Sequence, residues 1–188
     1  MFPRLLSYAD RLLQALNSVD EGCYETTVRL LFETAGSGGR VWILGNGGSA
    51  AISDHFATDL FKVGIDTGVP YRATSLASNT ATLTATANDY GYEFSYAHQI
   101  GVQGSPGDVV VAISSSGNSS NVLEAVTTAR AGGLRTVGMA GFDGGKLVSI
   151  VDFPLLLTTA LGDYGIAEDG HSALCHSVCE NLRGYASN

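Results

Sequence analysis

Apolar positions at the start of the chain recur at helical spacing. Leu5, Tyr8, Leu12, Leu13 and Leu16 follow three- and four-residue steps and so share one face. The pattern predicts a helix over 3–18, with Pro3 in its first turn, where a proline costs no hydrogen bond. Val28, Leu31, Phe32 and Ala35 predict a second helix over 21–35, stopped by the Gly-Ser-Gly-Gly run of 36–39. The two can form a hairpin ahead of the main domain.

Beyond Gly39 the rhythm changes to short apolar, β-rich runs separated by helix-length segments. The runs are RVWIL (40–44), YRATSL (71–76), DVVVAI (108–113), RTVGMA (135–140) and DFPLLL (152–157). Their spacing predicts right-handed βαβ crossovers and a parallel sheet. They are apolar throughout rather than alternating, which fits a sheet covered by helices on both faces.

Composition narrows the class. At 188 residues, 45% hydrophobic and 15% charged, the chain can bury one core and is too apolar to be disordered. Ten Lys and Arg against 18 Asp and Glu give 10 − 18 = −8, the wrong sign for a nucleic-acid groove or an anionic membrane surface. Any phosphate must therefore be held mainly by amides and hydroxyls. Cys23, Cys175 and Cys179 have no zinc-ribbon spacing, and an odd count does not close a disulfide framework. The first residues carry Asp10 and no uninterrupted apolar stretch, and no run approaches a membrane span, so a soluble, cytoplasmic protein is expected.

Two glycine- and serine-rich segments each follow a predicted strand and open a predicted helix. GNGGSA (45–50) lets backbone amides approach an anion, with Ser49 placed to cap the helix. It matches neither the dinucleotide nor the Walker fingerprint. SSSGNSSN (114–121) gathers the hydroxyls of Ser114, Ser115, Ser116 and Ser119 at a strand's carboxyl end, where open α/β sheets bind ligands. A lone loop of this type is more often a turn and cap; two in one sheet favour a phosphate-bearing ligand.

Four blocks, GNGGS-x5-HFA at 45–57, SLASNTATLTATANDYGYE at 75–93, PGDVVVAISSSGNSSNVLEA at 106–125 and GMAGFDGGKL at 138–147, resemble the sugar isomerase (SIS) domain family of the phosphoheptose isomerase type. The resemblance spans nearly the whole chain. It implies a flavodoxin-like five-stranded parallel sheet and a single domain over 1–188. Residues 1–36 would be a helical pair contributing to oligomerisation, and 40–188 an αβα sandwich. It also implies a homotetramer with sites between subunits, and conversion of D-sedoheptulose 7-phosphate to D-glycero-D-manno-heptose 7-phosphate. By the same resemblance Asn46, Gly47 and Gly48 contact substrate, with Ser49 and Asn79 beside them, and the four serines cradle its phosphate.

His55 and Asp59 lie four apart on a predicted helix, about 6 Å along one face, and can share a metal or a proton. The plain alternative is a helical ion pair. Glu168, His171 and His176 fall in the C-terminal helical stretch. The resemblance assigns catalysis to Asp59 and His176, zinc to His55, Asp59, Glu168 and His176, and substrate contact to Glu168 as well. Glu168 and His176 are separated by about 12 Å of helix rise and about 80° of rotation, so joint ligation needs long reach. His171 is expected on the helix surface or as a donor behind the ligands. The chain departs from the family pattern at Asp59 for glutamate, Glu168 for glutamine, and Asn79 and Gly165 for aspartates. Asp59 reaches about one methylene less far than glutamate, and Glu168 adds a charge suited to a cation.

The leading expectation is a metal-assisted aldose-ketose isomerase of a sugar phosphate, working through an enediol. The alternatives are a noncatalytic SIS scaffold, similar to the bacterial replication-initiation regulator, and a phosphosugar sensor. The retained His55, Asp59 and His176 favour the enzyme over the first, and the absence of a basic DNA-binding segment counts against the second.

Overall fold

In the computed structural model, which describes residues 4–186, the five apolar runs form one sheet. Its strands are β1 (Arg40–Gly45), β2 (Arg72–Ser75), β3 (Val109–Ser114), β4 (Arg135–Ala140) and β5 (Phe153–Leu156), all parallel in the order β2-β1-β3-β4-β5. The helices are α1 (Leu5–Leu16), α2 (Glu21–Gly36), α3 (Gly48–Thr67), α4 (Thr80–Tyr90), α5 (Ala97–Gln103), α6 (Ser120–Ala131), α7 (Leu147–Ile150) and α8 (Tyr164–Tyr185), with a 3-10 turn at Tyr92–Phe94. Pro3, expected in the first helical turn, lies outside the described residues.

Alternation along the strands divides the core into two layers. Val41, Ile43, Val109, Val111, Ile113, Val137 and Met139 pack with α2, α3 and α8. Trp42, Leu44, Val110, Ala112 and Ala140 pack with α5, α6 and α7 on the other face. Both faces are apolar because both are covered, which is why the strands read as unbroken hydrophobic runs. Each fully buried large side chain stabilises the fold by about 1.5–3 kcal/mol relative to exposure. Both N-terminal helices are present, and their main contacts are with the αβα body: α1 lies on α8, and α2 on β5, β1 and α8.

One buried carboxylate ties the sheet's amino-terminal edge together. Asp108, 5% exposed, accepts from Arg40 N at 2.8 Å, Trp42 Nε1 at 2.9 Å and Ser105 N at 3.0 Å. The opposite edge is where the chain reverses its winding. From the adjacent strands β1 and β3, α3 leaves to one face and α6 to the other, so a crevice opens between the loops after them. No helix among the described residues is long and apolar enough to cross a membrane.

Candidate functional site

The crevice is built from two helix starts. Gly47 sits at φ 54°, a backbone angle that favours glycine, and its turn starts α3 at Gly48. Ser49, expected to cap this helix, instead lies inside its first turn, 4% exposed, and no side chain caps α3. Ser119 precedes α6 without capping it either; its Oγ lies 3.3 Å from Ser114 Oγ. Two helix N-termini thus keep first-turn N–H groups free of side-chain caps, the arrangement that attracts an anion.

Between them lies a pocket of about 170 Å³. Asn46 and Ser49 form one wall, Ser114, Ser115, Ser116 and Ser119 another, and Tyr164 and Glu168 enter from α8. The lining contains no Lys or Arg, so an anion here relies on amides and hydroxyls. Ser115 Oγ is buried with no hydrogen-bond partner. Glu168 crosses over the start of α3: a Cβ on Gly48 would meet its carboxylate, so glycine lets the Glu168 side chain lie in this position without moving. Asn79 is exposed and outside this lining; its side chain accepts from Thr82 N at 3.1 Å and caps α4.

The second cluster lies further along the same pair of helices. Asp59 Oδ2 is 3.2 Å from His55 Nε2 and 3.5 Å from His176 Nε2, and the two imidazole nitrogens are 3.5 Å apart. Asp59 is 16% exposed at the side chain, while the histidines are 59% and 57% exposed, so the cluster opens outward. Two imidazoles and a carboxylate suit zinc. Ligands about 2.0–2.1 Å from a tetrahedral zinc stand roughly 3.3 Å from one another, which is the spacing seen here. Three protein donors also leave a fourth position for substrate, as catalytic zinc sites do.

Glu168 is not among these three residues. It lies eight residues before His176, more than two turns of α8, and its carboxylate lines the serine pocket instead. Of the two places expected for His171, the helix surface is excluded: it is 0% exposed. Neither ring nitrogen makes a well-formed hydrogen bond. Burial pushes its pKa down to about 4, and the Ala140 carbonyl offsets this only in part. The three cysteines are free thiols, and burial pushes Cys179 up to about 12, so it is no nucleophile at neutral pH.

Sequence reasoning overlooked three residues at the site. Tyr164 lines the pocket. Asn121 and Tyr92 both bond the Asn46 carboxamide. For Tyr92 a signal existed: it shares with Ser95, Tyr96 and Gln99 the spacing of one helical face.

Comparison with known proteins agrees with this architecture. The SIS domain family matches residues 6–141, which include both loops and His55 and Asp59 but not α8. The chain is 39% identical over 173 residues to the phosphoheptose isomerase of Geobacter sulfurreducens, covering 90% of this chain and 89% of that protein. It is 37% identical over 183 residues to that of Helicobacter pylori, covering 97% and 94%. The structure of the phosphoheptose isomerase from Neisseria gonorrhoeae superposes with a TM-score of 0.83 at 31% identity, covering 94% of each chain.

Proposed function

The chain belongs to the SIS-domain family, and on that footing we propose that it is a phosphoheptose isomerase, converting D-sedoheptulose 7-phosphate to D-glycero-D-manno-heptose 7-phosphate. The observation that carries this reading is the placement of two chemistries on one helix pair. A hydroxyl-lined pocket without Lys or Arg stands at the starts of α3 and α8, and a cluster of two histidines and an aspartate lies further along both.

In this reading Ser114, Ser115, Ser116, Ser119, the free Asn46 N–H and the first-turn amides of α3 and α6 hold the phosphate, while Glu168 meets substrate hydroxyls. Asp59 accepts a proton from the carbon between carbonyl and hydroxyl. His176 delivers a proton to the carbonyl oxygen, giving the enediol, and the reverse pair of transfers on the neighbouring atoms gives the aldose. General acid-base groups of this kind contribute about 10²–10⁴-fold each. His55, Asp59 and His176 would hold zinc, which when bound polarises the substrate carbonyl.

A homotetramer and a cytoplasmic setting belong to the same proposal. Supporting the first, α1 and α3 expose Leu5 (82%), Leu6 (76%), Phe61 (62%) and Ile65 (68%), and no residue of α4 is buried. Free thiols suit a reducing compartment. Four chains of 19.5 kDa predict a particle of about 78 kDa in light scattering, and a stable, active monomer would remove the tetramer.

The activity is tested by incubating zinc-supplemented protein with sedoheptulose 7-phosphate in deuterium oxide. The expected result is chromatographically resolved aldose with deuterium at carbon 2. The absence of both product and exchange would overturn the reading.

A further inference from the structure

Asn46 forms part of the pocket wall, and its carboxamide is held from two sides. Asn121 Nδ2 donates to Asn46 Oδ1 at 2.9 Å, and Asn46 Nδ2 donates back to Asn121 Oδ1 at 2.8 Å. The Tyr92 hydroxyl donates to the same Asn46 Oδ1 at 2.8 Å. A carboxamide oxygen accepts two hydrogen bonds and its nitrogen donates two. As bonded here, the oxygen is saturated and one N–H remains for whatever enters the pocket.

The supports are themselves fixed. Asn121 is 1% exposed and lies 3.4 Å from the buried Ser95 Oγ. Tyr96, four residues after Tyr92, donates from its hydroxyl to Gly45 O at 2.5 Å, immediately before Asn46. Gln99 Nε2 bonds Ser95 O at 3.0 Å and Leu76 O at 3.3 Å. One face of the 92–99 segment therefore braces the loop after β1, and α6 supplies Asn121 from the other side.

We infer that Asn121 and Tyr92 are positioning residues for the phosphate-end ligand: they hold the Asn46 carboxamide in one orientation, so that a phosphate or sugar oxygen meets a donor already in place. The inference rests on the isomerase reading for its substrate, but its geometry concerns the pocket alone. Ordering one side chain on binding costs a factor of about 2 to 12 in affinity, and this is what the preformed bonds save.

A double-mutant cycle through Asn46 separates positioning from structural support. Inorganic phosphate binding is measured by NMR titration of wild type, Tyr92→Phe, Asn121→Ala, Asn46→Ala and the combinations with Asn46→Ala. Tyr92 is half exposed and keeps its ring in phenylalanine, so that variant should melt with the wild type. The expected result is binding weakened about 2- to 12-fold in Tyr92→Phe and in Asn121→Ala. Neither change should weaken it further once Asn46 is alanine. The Asn46 side-chain N–H bonded to Asn121, protected from solvent exchange in wild type, should lose protection in both single variants. Unchanged affinity in Tyr92→Phe, or an effect of equal size in the Asn46→Ala background, would overturn the inference. Wild type that binds phosphate yet isomerises no heptose phosphate would instead count against the isomerase reading, with the cycle still decisive here.

Discussion

Replacing Ser115 with alanine should make the protein more stable and a poorer phosphate binder. Its hydroxyl is buried without a partner, and an unsatisfied hydroxyl costs about 1–3 kcal/mol by mutational measures. Alanine removes that cost and leaves a void of one oxygen atom, so a gain of about 1–2 kcal/mol is expected. For a chain of this length that is a rise in Tm of roughly 2–8 °C. With phosphate present that advantage is largely cancelled. A hydrogen bond to a charged group is worth about 1.5–3 kcal/mol, and the serine must rotate between staggered positions to offer it, so the lower end, a loss of about 10-fold, applies. At a phosphate concentration 100 times Kd the wild type gains about 2.7 kcal/mol from binding, and a tenfold weaker variant about half of that. Calorimetric melting with and without phosphate reads both effects. A lower Tm without ligand would refute the orphan hydroxyl, and undiminished stabilisation by phosphate would refute its part in binding.

Asp59→Asn should lower turnover by at least about 10² and reduce zinc content by elemental analysis, whereas Glu168→Gln should retain zinc, because its carboxylate stands at Gly48 and outside the triad. Asp108→Ala should destabilise the fold by about 3–5 kcal/mol in chemical denaturation, since it orphans the buried Trp42 indole N–H and two backbone amides; activity per folded molecule should be unchanged. His171 titrates near 4 when folded and near 6.5 when unfolded. The unfolded chain therefore takes up the proton first, and stability is complete above about pH 6.5 and falls as pH drops toward 4, by roughly 3 kcal/mol in all. Urea unfolding at pH 7 and 4.5 should show the fall in wild type and a smaller one in His171→Leu.

The strands were legible because a two-sided parallel sheet leaves its mark as unbroken apolar runs; all five predicted runs overlap observed strands, no end moving by more than one residue. The loops were legible because serine and glycine after such a run have few other uses. Local backbone detail was not: the positive φ at Gly47 starts α3 early enough to carry Ser49 into the first turn. His171 was misjudged because histidine usually reads as surface, although it sits three, four and seven residues before Leu174, Cys175 and Val178 on the buried face of α8. Asn46 meets Asn121 only because β1 and β3 are neighbours, a pairing that residue spacing does not reveal.

The helix pair also works as a ruler. α3 and α8 both leave the carboxyl edge of the sheet, and they touch at two levels: Gly48 against Glu168, and His55 with Asp59 against His176. From Gly48 to His55 is seven residues and from Glu168 to His176 eight, about 10.5 and 12 Å of rise. The near match lets both levels meet without a kink. Helical side chains lean toward the N-terminus, so Asp59 reaches back to the level of His55. An extended chain of single bonds advances about 1.2 Å per bond. Carbon 2 of a ketose 7-phosphate lies seven bonds from phosphorus, or about 8 Å, and one hydrogen-bond distance of about 3 Å completes the span between the levels. A triose phosphate, three bonds from carbon 2 to phosphorus, covers about 6.5 Å by the same count and cannot reach both. In the isomerase reading, the spacing of two pairs of residues along two helices suits a long open-chain sugar phosphate.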